Sequence, residues 1–176
     1  METRFERRCR ILALMARVIA AVLLLRALWL WLNFDTQLMP SYLAQGIRIN
    51  PDRIASWQWL GGALAANLPL FLVCLALLLS GRIFSAISRG EGITESLIGQ
   101  LSRTAALIFA AALLKVPLDA LASLLLTINN EVGNRSLRLG FSSAELVGII
   151  TAGLLWVLAA TLREALAIRR ENDAFI

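Results

Sequence analysis

Histidine is absent from this chain, and cysteine occurs only at Cys9 and Cys74. The first absence removes Ser-His-Asp catalysis and the commonest metal ligand together. The second leaves no disulfide framework and no metal-ligand spacing, because Cys9 precedes the first apolar run and Cys74 lies inside the second. Gly81, Gly90 and Gly92 do not fit a phosphate-binding loop, and no Gly-Lys-Ser or Gly-Lys-Thr occurs. Nor is there an internal repeat or a low-complexity segment. The chain therefore reads as a non-enzyme, with no catalytic residue, no metal site and no cofactor.

Apolar residues, by contrast, make up 59% of the chain and the mean hydropathy is +0.73, where soluble domains are about 45–50% apolar. The excess falls in four blocks, at about 11–32, 57–79, 105–127 and 144–162. Each is near the roughly 20 residues that cross a hydrocarbon core of about 30 Å. The first block is too long for the apolar region of a signal peptide and contains Arg17 and Arg26. Trp29, Leu30 and Trp31 stand where a small-residue cleavage site would follow. It reads as a retained signal anchor. The 176 residues leave room for one compact unit.

The formal charge of +5 and pI near 10.5 do not point to nucleic acid, because the arginines flank the apolar blocks. Arg4, Arg7, Arg8, Arg10, Arg82, Arg89, Arg103, Arg163, Arg169 and Arg170 fall on one side of the membrane. Only Arg48, Arg53, Arg135 and Arg138 oppose them. The positive-inside rule then places both termini in the cytoplasm, with Trp29, Trp31, Trp57 and Trp59 at the outer edge.

Between the blocks, residues 33–56 read as a polar connection with turn signals at Pro40, Gly46 and Pro51. Ser80-Gly81 is expected to close the second span. Residues 82–104 form a cytoplasmic interfacial segment, in which Arg82–Ile87 reads as a short amphipathic helix on anionic lipid. Thr94 is the expected cap of a helix running to Ile128, with Glu95 at its positive end. A third loop covers Asn129–Phe141. The fourth helix starts near Ser143 and continues past Leu162 into a cytoplasmic tail, 163–176.

Ionisable groups inside a bilayer are expensive and mark sites by default. The set is Arg26, Lys115 and Asp119, with Asn67 as a neutral companion. Lys115 and Asp119 share a helix face, extended by Ser123 and Thr127, and Pro117 between them predicts a kink. Arg26 and Asp119 come to similar depths, roughly 21–23 Å from the cytoplasmic ends at 1.5 Å per residue, so a contact between them is open. Arg17, half a turn out of phase with Arg26, is expected to snorkel toward the cytoplasmic headgroups. The cluster reads as polar glue fixing helix packing, as a water-filled ligand cavity, or as a proton or substrate pathway. On the fourth helix, Glu145, Gly148, Ala152, Trp156, Ala159 and Arg163 recur at spacings of three and four. They suit packing within the bundle or a homodimer face.

Two segments carry a resemblance: Arg82-Ile-Phe-Ser-Ala-Ile-Ser-Arg-Gly-Glu-Gly-Ile-Thr94, and the ending from Leu162 through Glu171-Asn172-Asp173 to Ile176. Together they resemble the small bacterial membrane proteins grouped as domain of unknown function 2975, apart from Gly92-Ile93-Thr94, where an aromatic residue commonly precedes the helix cap. The resemblance implies four membrane helices and a regulatory partnership with a small helix-turn-helix protein. It brings no catalytic residues. The expectation is an all-α integral membrane four-helix bundle. It acts as a regulator or sensor whose partners are the lipid bilayer and a cytoplasmic protein docked on Arg163, Arg169, Arg170, Glu171, Asn172 and Asp173. The alternatives are a ligand-binding or transport-related homo-oligomer and an accessory subunit of a membrane complex.

Overall fold

The computed structural model describes residues 4–131, 135–137 and 139–173, with Asp173 described by its backbone alone. Arg138, the Asp173 side chain, residues 132–134 of the third loop and residues 174–176 of the tail lie outside the described residues. What is described is helical: α1 (Arg4–Leu32), α2 (Met39–Ala44), α3 (Ser56–Ser88), α4 (Glu95–Thr127) and α5 (Ser143–Asp173). A π-helical turn at Phe34–Leu38 and a 3-10 turn at Pro51–Arg53 complete it. The helices α1, α3, α4 and α5 are each long and apolar enough to cross a membrane. Within their most apolar stretches only 17, 28, 28 and 11% of residues are buried inside the protein. Leu154 and Trp156 of α5, for example, are 67% and 70% exposed. Water would penalise so much open apolar surface, whereas lipid does not. The fold is that of an all-α membrane protein.

Neighbours in sequence are neighbours in space, with α3 against α1 and α4, and α5 against α4. Small side chains make these contacts. Among the buried positions are Cys9, Ala13, Ala16 and Ala20 on α1, Gly62, Ala65, Cys74 and Gly81 on α3, Ala105, Ala111 and Ala112 on α4, and Ala152 and Ala159 on α5. Lipid tails are as apolar as leucine, so helices associate in a bilayer by close packing more than by escape from solvent. A glycine stands at each contact. An added Cβ would lie 3.3 Å from the Ala13 carbonyl oxygen at Gly81, 3.1 Å from Leu126 Cδ2 at Gly62 and 3.2 Å from Ala112 Cβ at Gly148.

This overturns the reading of Ser80-Gly81 as a helix end. Gly81 lets α1 approach, and Ser80 and Ser85 donate their hydroxyls to the Ala76 and Gly81 carbonyls without interrupting the helix. Arg82–Ile87 is the last part of α3, not a separate interfacial helix. The helix closes at Gly90, whose φ of 74° places it in the left-handed region while the Glu91 N–H reaches back to Ala86 O. Gly81→Leu should therefore lower thermal stability in detergent by at least about 1 kcal/mol through overpacking. Gly99→Leu is the control, because nothing lies within 4 Å of an added Cβ there. Equal melting temperatures would show that α1 does not pack at Gly81.

The connection after α1 is not the polar loop its composition suggests. Trp31, Phe34, Ile47, Ile49 and Leu126 form a buried cluster, with Leu38, Tyr42, Ile54 and Trp59 packed on it. Trp31 stacks at 5.5 Å from Phe34 and meets Trp59 edge-on at 5.7 Å. The chain turns back after α2 at Gly46 (φ 80°), where the Ile47 N–H bonds to Tyr42 O at 2.9 Å. Side chains then lace this connection to the one after α4. Gln58 Oε1 accepts from the Ala55 N–H and from Asn129 Nδ2, both at 2.8 Å. Asn129 Nδ2 also donates to Arg53 O, and Asn130 Nδ2 donates to Arg48 O at 2.7 Å. Arg53 pairs with Glu131 at 3.1 Å. The result is a folded cap over one end of the helices.

Candidate functional site

Helical spacing brings Lys115 and Asp119 together on α4, with Nζ on Oδ2. Their side chains are 38% and 39% exposed, so this pair is not sealed in a core. It lines a cleft of about 230 Å³ together with Ser123 of α4, Ala66 of α3 and Leu38 and Tyr42 of the cap. Pro117 leaves α4 unbroken through Thr127. At the start of α5, Glu145 is buried and lies within electrostatic reach of Lys115. Its Oε2 accepts from the Ser142 N–H at 2.7 Å and from the Ser142 hydroxyl. Lys115 pairs with Asp119 and reaches Glu145 only through its field.

A second cleft, of about 300 Å³, adjoins the first and shares Leu38, Tyr42 and Ala66 with it. Arg26 and Leu30 of α1 and Asn67 and Leu70 of α3 line it. Asn67 turns its amide back to Ala63 O at 2.7 Å, a carbonyl of its own helix. Arg26 makes no hydrogen bond or ion pair with any described residue. Arg26 and Asp119 therefore occupy adjoining clefts without touching, because Lys115, one turn away on the same helix, already engages the carboxylate. Arg17 ends on α3, donating to Ser85 Oγ at 2.8 Å. The Ser123 and Thr127 hydroxyls bond to Ala120 O and Ser123 O, and Thr127 Oγ1 also accepts the Ser136 N–H at 3.1 Å. That part of the stripe is buried and structural.

At the opposite end, Thr94 caps α4 by accepting the Leu97 N–H at 3.3 Å. Arg163, Arg169, Arg170, Glu171 and Asn172 are all exposed on the last turns of α5. Arg170 pairs with Glu95 at 3.0 Å, tying the end of α5 to the start of α4. On the α5 stripe, Glu145, Ala152 and Ala159 are buried, whereas Trp156 and Arg163 turn outward. Among the described residues, no group of three or more cysteine, aspartate or glutamate side chains could hold a metal ion.

Sequence reasoning gave Glu145 no more than a place in the packing stripe of the fourth helix. Its reach to Lys115 follows from the antiparallel contact of Gly148 with Ala112, one turn from each charge, which helix spacing alone does not fix. Leu38 and Tyr42, which roof both clefts, carried no periodic signal. The model of the family described as "Protein of unknown function (DUF2975)" matches residues 43–176, a range that takes in Asn67, Lys115, Asp119, Glu145 and the tail. Arg26 precedes the matched range. No curated protein and no solved structure matches the chain.

Proposed function

This chain belongs to the DUF2975 family, and we propose that it is a non-enzymatic regulatory or sensor protein of the bacterial inner membrane, with both termini in the cytoplasm. The cleft of Lys115 and Asp119 is the receiving end, and the last turns of α5 dock a cytoplasmic protein, a helix-turn-helix regulator in this reading. One observation carries it. The same two helices, α4 and α5, pack at Ala112 and Gly148, one turn from the Lys115 that pairs with Asp119 beneath the cap, and are joined again at their far ends by Glu95 and Arg170. A ligand that draws Lys115 from Asp119 binds one α4–α5 arrangement better than another, which is what a population shift requires. The half-exposed pair also favours a second reading, a ligand-binding or transport-related oligomer, which needs the clefts and a second copy but no docked protein.

The test compares full-length protein with a version ending at Leu166, both shown to insert equally, by the proteins that co-purify from native membranes. The shorter version should lose a cytoplasmic protein, and Lys115→Met in the full chain should change the amount retained by about tenfold, equivalent to roughly 1.4 kcal/mol. Identical partner sets in all three would sink the regulatory reading.

A further inference from the structure

Lys115 and Asp119 touch along α4, and among the described residues neither has another hydrogen-bond or ion-pair partner. Both side chains are partly exposed to the cleft they line. The remaining ammonium N–H groups and the second carboxylate oxygen are therefore open to a ligand. Leu38, Ile47 and Ala66 supply apolar walls, and the exposed Ser41 and Gln45 stand at the rim. Glu145 does not line this space, and Ser142 holds its carboxylate. One cation and one anion thus face the same small cleft, and they balance.

Size, charge and spacing together select the ligand. The volume of about 230 Å³ is that of about seven or eight water molecules at about 30 Å³ each, so the occupant is compact. A ligand of single charge would bring a net charge into a place of low dielectric and leave one member of the pair without a new partner, which is costly. A zwitterion brings no net charge and offers a partner to each. Because Lys115 Nζ and Asp119 Oδ2 are in contact, the complementary charges must also lie side by side to reach both. An ammonium and a carboxylate carried on one carbon meet that condition, and the same groups at opposite ends of a chain do not. We infer that the cleft binds a small α-amino acid with an apolar side chain. Its carboxylate takes Lys115, its ammonium takes Asp119, and its side chain lies against Leu38, Ile47 and Ala66. Binding here rests on the reading of this cleft as the receiving end, and gives that end its ligand.

The full chain, in nanodiscs of zwitterionic lipid and with no partner protein present, is titrated calorimetrically with 2-aminobutanoate and 2-aminopentanoate. Binding should saturate. The isomers 4-aminobutanoate and 5-aminopentanoate have the same atoms and the same two charges, set apart, and should bind at least about tenfold more weakly. So should the methyl esters, which keep only the ammonium, and the N-acetyl derivatives, which keep only the carboxylate. Asp119→Asn should weaken the amino acids to the level of their N-acetyl derivatives. Asp119→Glu, which keeps the carboxylate, should retain most of the binding and shows that substitution here does not collapse the cleft. Absence of saturable binding by both 2-amino acids would overturn the proposal. Equal affinity for the far-end isomers, or for either singly charged derivative, would overturn it too, as would Asp119→Asn without effect. Amino-acid binding is read here without a docked protein, and docking on α5 is read by co-purification without added amino acid, so either can fail while the other stands.

Discussion

Gln58→Leu should destabilise the protein by about 2–4 kcal/mol, although it keeps side-chain volume and adds apolar surface. Gln58 is only 1% exposed, and its Oε1 receives both the Ala55 N–H at the start of α3 and the Asn129 amide. Leucine leaves the Ala55 donor with no partner in a partly buried place and cuts one tie between the two connections of the cap. Asn129 keeps its bond to Arg53 O, which holds the loss to part of the network. Gln100→Leu provides the comparison, since the buried Gln100 Oε1 has no hydrogen-bond partner to lose. Thermal unfolding in one detergent should place Gln58→Leu well below the parent protein and Gln100→Leu close to it. The reverse order would mean that the cap is not held through Gln58.

The charged cleft gives an asymmetric prediction. Lys115→Met removes the cation that pairs with Asp119 and whose field reaches Glu145, leaving the Asp119 carboxylate without its partner. Asp119→Asn leaves Lys115 with Glu145. A fully buried pair broken on one side loses about 3–5 kcal/mol, whereas interhelical polar contacts in membranes average about 0.6 kcal/mol. Partial exposure of both side chains sets the expectation between these limits, at about 2–3 kcal/mol for Lys115→Met and about 1 kcal/mol or less for Asp119→Asn. Melting curves of the two variants decide it. Equal losses would mean that Glu145 takes no part in holding Lys115.

Local rules served the sequence well where structure is local. The apolar blocks, the Thr94 cap and the Lys115–Asp119 pair depend on residues within a few positions of each other, and the structure has all three. Two other features depend on the environment and on tertiary contact. Glycine after serine signals a stop in water, but in lipid Gly81 is where two backbones meet. Phe34, Ile47 and Ile49 are scattered among Pro40, Gly46 and Pro51, so no period of two or 3.6 marks them. Their burial comes from Trp31 at the end of α1 and from Leu126 of α4, the latter far away in the chain. The cap, and with it the roof over both clefts, was illegible for that reason. That Arg26 and Asp119 come to a similar level along their helices was legible, since they line adjoining clefts. That Arg26 lacks a carboxylate was not, because whether Lys115 or Arg26 takes Asp119 is decided by which helix face each occupies.

The order of the long helices in space bears on how the protein is made. With α3 against α1, α4 against α3 and α5 against α4, each hydrophobic segment released from the ribosome finds its main neighbour already synthesised. Each helix waits in the lipid only for the next long one to cover its alanine and glycine face, and domains of this kind can assemble in step with translation. The cap is the exception. Trp31 and Phe34 emerge early, but Leu126, Asn129 and Asn130 come only after α4 has been laid down. The connection after α1 therefore reaches its final packing late, and the clefts beneath it take shape only once most of the chain is in the membrane.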